Sequence, residues 1–75
     1  MKNIEQLIKL HGALLLDNPK YYCEIAYTVQ TQWMAWLCSA APQCKSRKVL
    51  ACGSGRSMDE ACGAALDNYR ENQEK

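Results

Sequence analysis

A run of β-forming residues lies between two segments of helical periodicity, and this order limits the folds open to the chain. Five of the six aromatic residues fall within residues 21–39. Aromatic and β-branched side chains are enriched in strands. The polar pair Gln30-Thr31 divides this run, which predicts a hairpin with strands at 21–29 and 32–39. The chain has 75 residues, enough for one domain with a thin core.

The segment before the hairpin is predicted to form a helix over residues 4–16. Its apolar residues recur at helical spacing, and Asn3 is placed to cap its N-terminus. Pro19 disfavours helix at Asn18 and ends the element. His11 lies within the apolar stripe, where we expect a histidine at the edge of the core, bonded to a backbone group or a tyrosine.

After the hairpin, the sequence predicts a third strand over 47–52 and a second helix over 58–70. The segment Gly53-Ser54-Gly55 is expected to break the strand, and Ser57 with Glu60 forms a capping box for the helix. Gly63 inside the helix predicts a close backbone approach, because glycine costs about 1 kcal/mol there. Residues 71–75 are expected to fray.

These elements predict one α+β domain over residues 1–75, a two-layer sandwich of order α-β-β-β-α. Short connections favour a three-stranded antiparallel meander. Two amphipathic helices need a common apolar surface, so both are expected on one face of the sheet. The other face is left bare.

The two tryptophans are three residues apart in one strand and therefore point to opposite faces of the sheet. If Gln30-Thr31 is a two-residue turn, Ile25 faces Trp36, and Trp33 lies on the opposite face together with Tyr22. A shift of one residue exchanges the tryptophans. In either register one tryptophan lies outside the helix-covered layer, which is typical of the centre of a protein interface.

The charges are distributed unevenly, although the net charge is only +1. Residues 25–58 hold no carboxylate, and residues 59–75 are acidic. The basic middle could orient an acidic protein partner or bind nucleic acid. Together with Trp33, Trp36 and Tyr22, the predicted partner-binding residues are its four cations: Lys45, Arg47, Lys48 and Arg56.

The five cysteines lack the paired spacing of a zinc site, so no metal and no cofactor are predicted. We expect reduced thiols that pack as small hydrophobes, with a Cys38–Cys44 disulfide arising only as an oxidation artefact. A single histidine and the absence of a triad argue against an enzyme, although a cysteine paired with His11 is a formal alternative. The charged N-terminal segment and the short apolar runs predict neither a signal peptide nor a membrane span, hence a cytoplasmic protein.

The segment from Gly53 to Leu66 resembles the double-stranded RNA-binding domain, in which a third strand and G-x-G-x-S precede an alanine-rich helix. The order of elements is similar as well. This family holds RNA phosphates with lysines at positions that are Met58, Asp59 and Cys62 here, and only Arg56 remains as a phosphate contact. The resemblance therefore implies the fold, with nucleic-acid binding through residues 45–56 as an alternative function.

In size and style the chain is also similar to small accessory proteins of bacteriophages, including anti-CRISPR proteins. That resemblance implies stoichiometric inhibition of a host factor. These features and resemblances together predict a non-catalytic, phage-encoded module that binds a host protein or protein complex, such as a component of antiviral defence. A homodimer through the open sheet face is the other alternative.

Overall fold

A computed structural model describes residues 2–41 and 43–73, which form two helices and three strands. These are α1 (Lys2–Asp17), β1 (Tyr22–Thr28), β2 (Gln32–Cys38), β3 (Val49–Gly55) and α2 (Met58–Gln73). Both strand pairs are antiparallel, in the order β1-β2-β3. The α+β class and the α-β-β-β-α order are as predicted. Neither described helix is long and apolar enough to cross a bilayer.

The core lies between the sheet and both helices. Leu7 of α1 and Leu66 of α2 are buried against Ala35 of β2, and Trp33 packs at the edge of this cluster. The buried side chains of α2 are small, which allows the helix to lie close to the sheet. The buried members of the cluster are Leu7, Ala35, Ala61, Cys62, Ala65 and Leu66.

β3 is longer than predicted, because the glycines continue the strand to Gly55 instead of breaking it at Gly53. A Cβ at Gly53 would lie 2.2 Å from the backbone nitrogen of Ala65, and one at Gly55 would lie 2.8 Å from that of Ala61. The backbone of α2 therefore packs directly against β3 at these two glycines. The prediction of a strand break was wrong because these glycines allow the backbone of α2 to approach the strand closely, and a close approach of this kind is one reason for glycine within a strand.

The register of the hairpin differs by one residue from the register predicted for a two-residue turn. Thr28 pairs with Gln32, so the turn contains Val29 as well as Gln30-Thr31. Gln32 adopts a φ of 59°, as is usual at the end of a three-residue hairpin loop. The hydroxyl of Thr28 accepts a hydrogen bond from the backbone N–H of Thr31 at 2.9 Å and holds this turn. Every cross-strand partner predicted for the shorter turn is thereby shifted.

The N-terminus of α1 is capped by α2 and not by Asn3, which lies inside the helix. The carboxylate of Asp59 accepts hydrogen bonds from the backbone N–H groups of Asn3 at 2.9 Å and Ile4 at 3.2 Å. The side-chain amide of Asn3 also donates to the carbonyl of Asp59. A Cβ at Gly63 would lie 2.6 Å from this amide, so the close approach occurs there but is made by a side chain and not by the predicted backbone.

Two local predictions are confirmed. Ser57 caps α2 by accepting the backbone N–H of Glu60 at 3.1 Å. The Nε2–H of His11 donates to the carbonyl of Tyr21 at 3.1 Å, as expected for a histidine at the core edge. The predicted fraying begins too early, because α2 continues to Gln73. Residues 74 and 75 of that predicted tail lie outside the described residues.

Candidate functional site

The sheet face opposite the helices, here called the open face, carries a groove of about 300 Å³. We call it the Trp36 groove, because the indole of Trp36 lies at its centre between two cross-strand partners, Glu24 and Cys52. The ring of Tyr22 lines the same groove. The lining residues are Tyr22, Glu24, Trp36, Cys38, Arg47 and Val49.

A β-bulge completes the apolar wall of the Trp36 groove. Pairing between β2 and β3 shifts between Leu37 and Cys38, so that Cys38 lies opposite Val49. A bulge inserts one residue into a strand and redirects the side chains that follow. Val49 therefore joins the open face, where it is 49% exposed. The groove thus has partly exposed apolar walls.

Tyr22 and Glu24 form a polar pair at the rim of the groove. The phenol hydroxyl of Tyr22 donates to Oε1 of Glu24. This hydrogen bond to the carboxylate raises the pKa of Tyr22, because the neutral phenol is stabilised and a phenolate would be repelled. The raised pKa keeps the Tyr22 hydroxyl at the rim in its neutral form.

Arg47 brings the opposite charge to the same groove, where its side chain lines the wall near Cys38. The thiol of Cys38 is fully buried. Burial raises the pKa of this thiol, and the nearby Arg47 opposes the rise only in part. Cys38 is therefore a neutral, apolar element of the groove floor, and the charges of the groove come from Glu24 and Arg47.

Trp33 lies on the helix-covered face, so the tryptophan at the open face is Trp36. The ring of Trp33 stacks at a tilt on that of Tyr27, with centroids 5.3 Å apart. On the same side of β2, Ala35 and Leu37 are fully buried beneath the helices. The placement of Trp33 on one face with Tyr22, expected for a two-residue turn, was wrong because the turn has three residues and puts Tyr22 on the face of Trp36.

The predicted basic residues do not form one cluster. Lys45, Arg47 and Lys48 lie in the exposed loop before β3, whereas Arg56 follows β3 at its other end. A strand of seven residues separates the two positions by about 23 Å. Of these four side chains, only that of Arg47 lines the Trp36 groove.

Sequence reasoning missed Glu24, Cys38 and Val49 as members of the groove. The alternation of side chains along β1 could have placed Glu24 beside Tyr22 and Trp36, had the turn been assigned three residues. No sequence pattern indicates the bulge that adds Val49.

The cysteines form no metal-ligating cluster within residues 2–41 and 43–73. No three metal-ligating side chains converge there, and the five thiols are free. Cys44 differs from the buried thiols, because a hydrogen bond from Ser46 at 3.2 Å lowers its pKa. The Nε2 atom of His11 is bonded to a backbone carbonyl and not to a cysteine.

Comparisons with protein-family models, curated proteins and solved structures found no match to this chain. The order of elements is compatible with the fold of the double-stranded RNA-binding domain, and no relative supports membership of that family. Functional inference therefore rests on the geometry of the Trp36 groove.

Proposed function

We propose that this protein is a non-catalytic module that binds a partner protein through its open face. The observation that carries the proposal is the Trp36 groove, in which two aromatic rings on neighbouring strands are left uncovered by either helix. Tryptophan, tyrosine and arginine are the residue types that contribute most to binding energy at protein interfaces. All three line this one groove.

The charges of the groove provide orientation. Glu24 and Arg47 place one negative and one positive group on the rim of an apolar surface, an arrangement of apolar centre and polar rim that is common at protein interfaces. Lys45 and Lys48 extend the positive side along the loop. Such rim charges affect chiefly the association rate and its dependence on salt.

The partner that we propose is a host protein or protein complex, such as a component of antiviral defence, bound stoichiometrically. This part of the proposal is supported by the resemblance in size and style to phage accessory proteins. Affinity capture from host lysate, with the wild-type chain against Trp36→Ala, identifies candidate partners. A gel shift with duplex RNA and DNA at two salt concentrations tests the nucleic-acid alternative, which predicts binding that collapses as salt rises.

The decisive measurement is calorimetric titration of the purified partner. Trp36→Ala is expected to weaken binding about 30-fold, corresponding to a loss of about 2 kcal/mol at an interface centre. Val29→Ala is the matched control, because Val29 is 88% exposed in the hairpin turn, away from the groove. Trp33→Ala is expected to lower stability instead, since Trp33 packs on the core. Unchanged affinity for Trp36→Ala at full stability would exclude the open face as the binding surface.

A further inference from the structure

The two edges of the sheet differ in whether their outward-facing backbone N–H and C=O groups have hydrogen-bond partners. At the β3 edge, Oδ1 of Asn68 accepts the backbone N–H of Cys52 at 3.1 Å. Nδ2 of Asn72 donates to the carbonyl of Leu50 at 2.8 Å. Unpaired groups on an exposed strand edge are a template for another strand. Side chains of α2 occupy this edge of the sheet and therefore block strand addition there.

The same bonds determine which groups of β1 point outward, since successive residues of a strand direct their backbone groups to opposite edges. Because Cys52 points away from β2, its neighbour Ala51 points toward β2 and pairs there with Leu37. The next residue of β2, Trp36, therefore points toward β1 and pairs with Glu24. The described residues of β1 whose backbone groups point away from the sheet are Cys23, Ile25 and Tyr27.

This β1 edge is open. Within the described ranges 2–41 and 43–73, no hydrogen bond beyond the sheet ladder reaches the backbone groups of Cys23, Ile25 or Tyr27. The preceding outward residue, Tyr21, has both groups satisfied: its carbonyl accepts from His11, and its N–H donates to the carbonyl of Asn18. β1 holds neither proline nor lysine, and its pairing with β2 has no bulge. The usual protections against pairing with another strand are thus missing, apart from the charge of Glu24.

An apolar side of α1 lies next to the open β1 edge. Asn3 marks the side of α1 that touches α2, and His11 marks the side that reaches β1. At 3.6 residues per turn, Leu15 and Ile8 lie about 40° and 60° beyond His11, away from Asn3. They are 36% and 58% exposed. We call these two side chains the α1 flank.

The widths of the two layers leave room for one more strand partly beneath the α1 flank. Two packed helices span about 20 Å, whereas three strands span about 14 Å and four about 19 Å. α2 lies directly over β3, where it touches Gly53. Because α2 is centred on β3, the helix layer overhangs the sheet by about 3 Å at each edge, and a fourth strand beside β1 would lie partly beneath α1. A second copy of this chain does not fit, because its own α1 would enter the same space.

We propose that the β1 edge binds an extended peptide segment of a partner protein as a fourth strand. The peptide backbone pairs with Cys23, Ile25 and Tyr27. Every second side chain of the peptide is apolar and packs under the α1 flank, and the alternate side chains face the open side. A lysine or arginine is favoured opposite Glu24 because opposite charges attract across a strand pair. This surface adjoins the Trp36 groove and shares Glu24 with it, but its backbone groups and the α1 flank are not part of the groove, so either site can exist without the other.

The test begins with the full chain and a library of random 12-residue peptides displayed on phage. The best binder is synthesised and titrated against two matched pairs of variants. Tyr27→Pro removes one outward N–H, whereas Tyr27→Ala removes the same side chain and keeps that N–H. Ile8→Glu places a charge on the α1 flank, whereas Leu16→Glu places it on a residue that is 89% exposed and lies off the flank.

The proposal expects selected peptides with alternating apolar residues, and protection of the Cys23, Ile25 and Tyr27 amides from hydrogen exchange when the peptide is bound. Tyr27→Pro and Ile8→Glu are each expected to weaken binding at least about tenfold relative to their controls. If Tyr27→Pro fails to fold, the Ile8→Glu and Leu16→Glu pair decides. Three results would each overturn the proposal. They are failure to select any peptide, selected peptides that bind Tyr27→Pro and Ile8→Glu as tightly as the wild-type chain, and a stable dimer that no peptide displaces.

Discussion

Replacing Gly53 with alanine tests the close packing of α2 against β3. The new Cβ would lie 2.2 Å from the backbone nitrogen of Ala65 and 2.6 Å from the carbonyl carbon of Ala64. Ordinary contacts begin at 3.4 Å, so α2 would have to move away from β3 by about 1.2 Å. Both sides of the contact are backbone in regular elements, so no side chain can rotate to relieve it.

The cost follows from the gap that this movement opens across the core. A gap of about 0.5–1 Å already loses a quarter to a half of the contact energy of the atoms that line it. Overpacking typically costs about 1–3 kcal/mol. We expect a value near about 3 kcal/mol for Gly53→Ala, because the backbone contact cannot relax. A single core in a chain of this size supplies only about 3–5 kcal/mol, so a large fraction of the variant is expected to be unfolded.

Urea denaturation followed by tryptophan fluorescence measures this loss. Gly12→Ala is the control with the opposite sign, since no atom lies within 4 Å of a Cβ built at Gly12. Alanine in the interior of this exposed helix is expected to raise the free energy of unfolding by about 1 kcal/mol. If Gly53→Ala lowers the free energy of unfolding by less than about 1 kcal/mol, and the slope of that free energy with urea concentration is unchanged, the close approach of α2 to β3 is refuted.

Three further substitutions test individual contacts. Asp59→Ala is expected to lower the free energy of unfolding by about 2 kcal/mol in urea denaturation, because two N–H groups of α1 lose a charged acceptor; a loss under about 0.5 kcal/mol contradicts this cap. Asn68→Ala is expected to speed hydrogen exchange of the Cys52 amide at least about tenfold by NMR, since that edge of β3 becomes open. Ultraviolet titration is expected to place the Tyr22 pKa above its ordinary value and to show it lowered by Glu24→Gln. The stabilisation from this pair is present below the ordinary tyrosine pKa and is lost as the pH rises through the higher folded-state value, so identical titrations of both proteins would exclude the pair.

The order of elements could be predicted from the sequence because each element has a local signal. Helical spacing marks α1, the capping box at Ser57 marks the start of α2, and aromatic residues mark the hairpin. These signals depend on neighbours within a few residues. They also place His11 correctly and indicate a close contact at Gly63, since both occupy unusual positions within a helical pattern.

The hairpin register and the long-range contacts could not be predicted in the same way. The three-residue turn 29–31 is followed by Gln32, which has a positive φ without being the glycine or asparagine that normally marks one. Thr28, whose hydroxyl holds this turn, gives by itself no signal of the turn length. The cap supplied by Asp59 to α1 joins residues more than 50 positions apart, for which one sequence carries no local signal. The residues of the Trp36 groove could not be predicted either, because the hairpin register decides which side chains lie on the open face.

The carboxylate that joins the two helices has a consequence for folding kinetics. Asp59 and Asn3 are 56 residues apart, so the contact can form only after the intervening sheet has closed a long loop. We expect docking of the first helix to be a late event, following the rate-limiting barrier. Weakening this contact should accelerate unfolding and leave the refolding rate nearly unchanged. The unfolding rate, and with it the lifetime of the native state, would then depend on the contact between the N-terminal ends of α1 and α2.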